Sequence, residues 1–431
     1  MSHRDIDVLI IVEHLSRELE SALLLERELC SRGYSAVVVF KGWNEGPASC
    51  FFRPKIIVTP WCYDDKDVEA LSAYRGGFPD GSFDIVDLHS EQVTTPDGLS
   101  FVLPSGRAKD AFHISWGPFF MESLLADGVS DKRICIAGSN RLDLLRDEYR
   151  YLGASKAELS REFEIDFAKH WILFVGNYSA AFMTDERVSE LEARGLLNAG
   201  ENRNLSHRAY KESLAWMEEA VRDSNLRDCE FIYRPHPSEP ISEELESLGN
   251  KYEHFHIVKS RSIRDWFLNC DIDLNWCSTS SVEAAFAGLP VISLRPFEVP
   301  AHFRFDLLEN IEQISSSSEL RRMIRGVIDG NFKDINLSFV EAISRYYKVD
   351  STSATKNIAD AIADLLSVGK GRFSCNRRSF YCSRKVLGYV AKQTAYHLGV
   401  ARKFPSWRIL VDDHITHIEL ERKRNFINGK S

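Results

Sequence analysis

Residues 229–240 read CEFIYRPHPSEP, and residues 271–294 read DIDLNWCSTSSVEAAFAGLPVISL. Two apolar segments, 230–234 and 272–276, predict strands buried in a sheet, and each runs directly into a polar turn. The first turn offers Arg234, His236, Ser238 and Glu239. The second offers Ser278, Thr279, Ser280 and Ser281 at the start of a predicted helix that stops near Gly288. Strand ends that open onto helix N-termini favour anions, because backbone N–H groups are free there and the helix dipole is positive. The expected fold class is therefore α/β, with a phosphate-sized anion at the ends of these two strands.

Working outward, similar units fill the chain. Residues 7–12 end in a continuous apolar run, followed by an amphipathic stretch with Leu15, Leu19, Ala22, Leu23 and Cys30 on one stripe, and then a second apolar run at 36–40. This strand–helix–strand opening implies a right-handed crossover and a doubly wound sheet. It contains no GxGxxG, which argues against an ordinary dinucleotide site. Further strands are expected at 55–59, 83–88, 111–115 and 133–137, and a second series starts at 171–175. The charged segment 149–169 reads as an exposed helical linker. Helices near 337–346 and 354–366 are expected to complete the second domain.

At 431 residues, with 44% hydrophobic and 27% charged residues, the chain suits two α/β domains and an appendage. The expected division is 1–165, 166–368 and a tail at 369–431. The longest early apolar run, 8–12, is far shorter than a signal or spanning segment, so a cytoplasmic chain is expected. Nine cysteines lie scattered without a CxxC pair or a zinc-like spacing, as in a reducing compartment. The net charge of −9 is asymmetric: residues 370–431 hold 14 Lys/Arg against 4 Asp/Glu, or +10, which leaves −19 for the rest.

Several stretches taken together resemble the bacterial surface-carbohydrate (capsule and lipopolysaccharide) biosynthesis family, glycosyltransferases of the GT-B kind. They are Arg17-Glu18-Leu19-Glu20, Leu88-His89-Ser90-Glu91-Gln92, Trp116-Gly117, Gly138-Ser139-Asn140-Arg141-Leu142-Asp143, Gly176-Asn177-Tyr178-Ser179, Arg234-Pro235-His236-Pro237-Ser238-Glu239 and Ser280-Ser281-Val282-Glu283-Ala284. The His-Pro and Ser-Ser pieces also resemble CMP-sugar enzymes such as Kdo and sialic acid transferases, and CDP-glycerol phosphotransferases are a close rival. The resemblance covers roughly residues 5–330. It implies two Rossmann-like domains facing a cleft, with the acceptor on the N-terminal domain and a nucleotide-sugar donor on the C-terminal one. A glycan or lipid-linked glycan acceptor and a metal-independent reaction without cofactor are further implications.

Each candidate residue has a functional and a structural reading. His236, fixed between two prolines, can donate to a nucleotide phosphate or be incidental to the turn. Arg234 is placed either for a phosphate or for Glu239. Four hydroxyls at 278–281 exceed what one helix cap needs, which favours phosphate binding, with Ser280 and Ser281 foremost. Glu283 suits ribose hydroxyls or a solvated helix face; Asn177 and Ser179 suit the donor phosphate or sugar. Glu91 is the expected general base, with His89 sharing or tuning that role. The family often has an acidic pair before a glycine where this chain has Ser90-Glu91-Gln92. Arg17 reaches the acceptor side or holds Glu20 or Glu13. Asp271 and Asp273 spell DxD, but at the start of a strand they point into the sheet's packing, so no metal is expected.

The basic tail interleaves Phe373, Phe380, Tyr381, Tyr389, Tyr396, Phe404 and Trp407 with its cations. Contact with an anionic membrane on its cytoplasmic face is the expectation, with a helical cap packed on the acidic body as the alternative. Nucleic acid is not expected. Three other functions stay open: polyol-phosphate transfer, epimerisation of a UDP-sugar, and a non-catalytic nucleotide-binding scaffold.

Overall fold

The computed structural model describes residues 4–41, 48, 51–72, 74, 82–93, 101–193, 195, 198–332, 334–369, 371–373, 387–388, 390–396, 398–400 and 417–429. Two compact units emerge: one from Met1–Val93, Phe101–Leu144 and Arg345–Ser431, the other centred on Leu145–Ser344.

The first unit holds a six-stranded parallel sheet of β1 (Arg4–Val12), β2 (Ala36–Phe40), β3 (Phe52–Thr59), β4 (Asp84–Asp87), β5 (Phe112–Ser115) and β6 (Ile134–Ile136), in the order β2-β1-β3-β4-β5-β6. Val8, Leu9 and Ile10 are wholly buried, as a strand covered on both faces requires. The second unit holds β7 (His170–Val175), β8 (Cys229–Arg234), β9 (Phe255–Ile257), β10 (Ile272–Asn275), β11 (Val291–Leu294) and β12 (Glu312–Ile314), in the order β12-β11-β10-β7-β8-β9. All its pairings are parallel. Tyr178, Tyr210, Tyr233 and Trp276 join aliphatic side chains in its core. The expected α/β class with two doubly wound sheets is what the structure has. The short strands β9 and β12 escaped the sequence reading, because three residues are too few to show a period.

The division of the chain differs from the expected one at both ends. The segment read as an exposed linker forms the helix Lys156–Phe163, which buries Leu159, and the Leu152 carbonyl accepts from the Arg264 guanidinium at 2.8 Å. It is part of the second unit. The helix Ala354–Val368, expected to complete the second domain, belongs to the first. Buried Asp143 accepts the backbone N–H groups of Ala354 (3.0 Å) and Thr355 (2.7 Å) and the Thr355 hydroxyl (2.7 Å). A carboxylate thus meets the orphan donors and positive end of that helix. Gly138 (φ 91°) permits the approach, since a Cβ there would lie 3.1 Å from the Ala354 methyl.

The tail also docks, where it is described. Phe83 and Phe373 exchange two backbone hydrogen bonds of 2.9 Å, and Phe373 is buried. The helix His417–Ile427 lies against the first helix, Leu15–Ser31: Arg424 donates to both oxygens of buried Glu26 (2.7 and 3.0 Å), and Leu420 and Ile427 are buried. For these segments the cap on the acidic body is the reading that holds. Phe380, Tyr381, Tyr389, Phe404 and Trp407 lie outside the described residues. No helix among the described residues is long and apolar enough to cross a membrane.

Removing the Asp143 carboxylate leaves two helix-end N–H groups without their acceptor in a buried place. Asp143→Ala should lower the unfolding free energy by about 3 kcal/mol, read by urea denaturation followed by tryptophan fluorescence.

Candidate functional site

In the second unit, Val175 of β7 pairs with Asn275 of β10 on one side and with Arg234 of β8 on the other. Three neighbouring parallel strands therefore end level, and their three polar turns start from one edge of the sheet. The order reverses between β7 and β10, the kind of switch point outside which α/β sheets bind ligands.

A buried carboxylate locks two of these turns. Glu239 accepts the Tyr178 N–H (3.0 Å) and the Tyr233 hydroxyl (2.6 Å), while its own N–H donates to the His236 carbonyl (2.8 Å). Burial holds its carboxyl above the usual range. Gly176 is required beside it, because a Cβ there would sit 2.8 Å from a Glu239 oxygen. Asn177 joins the third turn, donating from Nδ2 to the Cys277 carbonyl at 2.9 Å.

These contacts decide which candidates are presented. His236 and Ser238 are exposed; Nδ1 of His236 accepts the Ser238 N–H (3.3 Å) and lies 2.7 Å from its hydroxyl. That assigns the ring proton to Nε2, a hydrogen-bond donor. Thr279 and Ser280 are half-buried, and the Ser280 hydroxyl meets that of Ser278 at 2.7 Å. Ser179 and Glu283 are half-buried too. Ser281 corrects its expectation: it is wholly buried, and its hydroxyl donates to the Ser278 carbonyl (2.7 Å). Arg234 is not paired with Glu239. It donates to the carbonyls of Ser260 (2.8 Å) and Arg261 (2.6 Å), bracing the turn after β9, and burial pulls its pKa down to about 10.

The helix after Ser280 spans only Ser281–Phe286, and no serine side chain caps it. The anion argument consequently rests on side-chain and turn donors more than on a dipole. The turn begins at Cys277, held at φ 51°, a left-handed conformation that costs a non-glycine residue about 1 kcal/mol or more. Its thiol is buried against the Arg295 guanidinium (2.5 Å). No sequence signal marks that geometry.

In the first unit the segment after β4 divides by face. Gln92 is buried and ties strands together, donating to the Ile114 carbonyl (2.8 Å) and accepting the Trp116 N–H (2.7 Å). Glu91 is exposed and ion-paired with Arg17, so two sequence candidates meet, and neither Glu13 nor Glu20 is the Arg17 partner found. His89 corrects its expectation. It is 2% exposed at φ 45°, with Nε2 2.8 Å from Nδ1 of buried His113 and its ring against Phe120. Burial drives its pKa well below the usual histidine value. A ring enclosed in this way does not share a proton with an exposed carboxylate.

Asp87, His89 and His113 bring ligand-type atoms within 4.8 Å of one another. They are engaged as a hydrogen-bond network: the Asp87 carboxylate accepts the N–H groups of Cys62 and His89, both at 2.9 Å. Burial raises Asp87 to about 8 and lowers His113 to about 4, the directions for groups kept neutral. In the DxD pair, Asp271 accepts the Trp171 N–H (2.8 Å), and wholly buried Asp273 accepts from Asn275 (3.0 Å). Burial pushes Asp273 up to about 7. Its native state holds a proton that the unfolded chain has released, so this contribution to stability is full below about pH 4 and lost as pH rises toward 7. Between about pH 5 and about pH 8 the unfolding free energy of Asp273→Asn should gain about 2 kcal/mol on the unsubstituted protein, measured by urea denaturation at both pH values.

No family model matches the chain, and no curated protein matches it. Among solved structures, it resembles the wall teichoic acid polymerase TagF at 12% identity and TM-score 0.51, over 84% of this chain and 90% of that one. It resembles a putative UDP-N-acetylglucosamine 2-epimerase from Listeria monocytogenes at 14% identity and TM-score 0.53, over 88% of this chain and 100% of that one. A further UDP-N-acetylglucosamine 2-epimerase gives 11% identity and TM-score 0.54, over 86% and 99%. At such identities the likeness speaks to fold: two parallel six-stranded sheets on the GT-B plan.

Proposed function

We propose that this protein transfers a sugar from a nucleotide-sugar donor, a CMP-sugar by preference, to a hydroxyl of a surface polysaccharide or lipid-linked glycan, without a metal or cofactor. The observation that carries this reading is the level ending of β7, β8 and β10, with His236, Ser238, Thr279, Ser280, Asn177 and Ser179 on the turns beyond. Neutral donors preorganised at one sheet edge suit a phosphate that gains charge as it leaves. The acceptor oxygen bonds to the anomeric carbon, the bond from that carbon to the phosphate oxygen breaks, and CMP departs. The acceptor's proton passes to Glu91, whose ion pair with Arg17 opens for that step. Arg234 and Ser281 support the turns from behind.

The TagF likeness supports a second reading, transfer of a polyol phosphate. A variant of TagF soaked with CDPG also resembles this chain, at 14% identity and TM-score 0.50, over 84% of this chain and 89% of that one. Both reactions release CMP, so the mass of the product separates them: only polyol-phosphate transfer adds phosphorus to the acceptor. The epimerase likenesses support a third reading, in which a UDP-sugar turns over without an acceptor.

Thermal denaturation in the presence of CMP, CDP, UDP and GDP tests the donor site. A nucleotide at about 100 times its Kd stabilises by about 2.7 kcal/mol, a rise of several degrees, and the cytidine nucleotides should give it. Protection by none of them overturns the reading. His236→Ala should lose most of that rise, whereas Glu91→Gln should keep it and lose transfer by about 100-fold or more. Activity that survives in Glu91→Gln removes the base, and activity abolished by EDTA removes the metal-independent reaction.

The proposal includes peripheral membrane contact through the tail. Supporting it, Leu387, Val390 and Leu398 are exposed in a segment with a +10 charge excess. The 431-residue chain should sediment with phosphatidylglycerol vesicles at low salt and dissociate at about 0.5 M salt. Equal binding to phosphatidylcholine vesicles, or none to either, counts against it.

A further inference from the structure

A fourth strand of the second unit ends at the edge where the three polar turns start. Asn275 of β10 pairs with Ser293 of β11, so two residues further on Cys277 and Arg295 leave the sheet side by side. The Arg295 N–H still follows the sheet, donating to the Ile314 carbonyl at 2.8 Å. Its side chain is buried and divides between two partners: Nη1 donates to the Cys277 Sγ at 2.5 Å and Nη2 to a Glu309 oxygen at 3.0 Å.

The ion pair with Glu309 does not account for this burial. The Glu309 side chain is 32% exposed, whereas that of Arg295 is 8% exposed and its Nε has no hydrogen-bond partner. Taking a cation out of water without satisfying all its donors is costly, and a guanidinium can reach a carboxylate at the rim while staying in solvent. What the inward position adds is the contact with Cys277.

Cys277 in turn carries a side chain where glycine would be unstrained, since its φ is 51°. Burial pushes the thiol up to about 12, so it stays protonated and its sulfur accepts from the guanidinium. The carbonyl of the same residue accepts from Asn177 at 2.9 Å. Cys277 is thus gripped through backbone and side chain together, and it sets the direction of the turn that carries Thr279 and Ser280, both half-buried.

We propose that Arg295 is a positioning residue for the donor phosphate: by holding the Cys277 side chain it keeps this turn in the geometry that presents Thr279 and Ser280. Arg295 touches no substrate and acts through Cys277. The inference rests on the nucleotide-donor reading, in which neither residue had a role.

Isothermal titration calorimetry of the 431-residue chain with CMP, CDP, UDP and GDP, followed with the tightest binder, tests it. Arg295→Met and Cys277→Ala should each raise the Kd about tenfold. The double variant should also raise it about tenfold and not about a hundredfold, because both changes remove the same contact. Cys277→Ser gives the guanidinium an acceptor again and should stay within about twofold of the unsubstituted protein, whereas a side chain that only fills space would not distinguish Ser from Ala. If Arg295→Met does not fold, Cys277→Ala and Cys277→Ser decide by themselves. Unchanged affinity in Cys277→Ala, equal losses in Cys277→Ala and Cys277→Ser, or a loss of about a hundredfold in the double variant overturns the proposal and leaves the donor site standing. Binding of none of the nucleotides to the unsubstituted protein removes the donor reading and this inference with it.

Discussion

Both units rest on a constraint of parallel sheets: every strand delivers its carboxyl end to the same edge, so polar turns distant in sequence become neighbours. In the second unit this places residue 177 beside residues 236 and 278 without any local signal linking them. The buried carboxylate of Glu239 makes the arrangement rigid, because a buried group held by two strong donors has one low-energy position. His236 and Ser238 are consequently held in place on a turn that itself contributes little packing.

The same logic divides residues of similar chemistry by depth. In the 87–92 segment, Asp87, His89 and Gln92 face inward and are satisfied by backbone and by His113, whereas Ser90 and Glu91 face out. In the 278–281 segment the hydroxyl of Ser281 serves the fold while those of Ser278 and Ser280 meet each other. Polar residues beside a strand end thus include both the site and its supports. Burying an unpaired polar group is costly, so each support acquires a partner that a linear reading cannot name.

The C-terminal part of the chain shows how a domain boundary can hide. Helix 354–368 has an ordinary amphipathic pattern that would suit either unit. What assigns it to the first is a set of distant contacts: Asp143, more than two hundred positions earlier, the Ala137 carbonyl that accepts from Asn357, and Arg32 paired with Asp360. The acidic first helix likewise gains its basic neighbour, Arg424, from the far end of the sequence. The charge asymmetry of the chain, conspicuous in composition, is in part an internal complementarity.

The amino-acid sequence by itself determined the α/β class, most of the strands and the polar turns that follow them. Those features depend on periodicity, apolar runs and turn residues, which are local. The convergence of three turns on one edge, the pairing of Arg17 with Glu91, and the enclosure of His89 and Ser281 were decided only by tertiary structure. Each depends on strand order and on which atom of a side chain is left unsatisfied, and both are set by contacts between residues far apart in the chain.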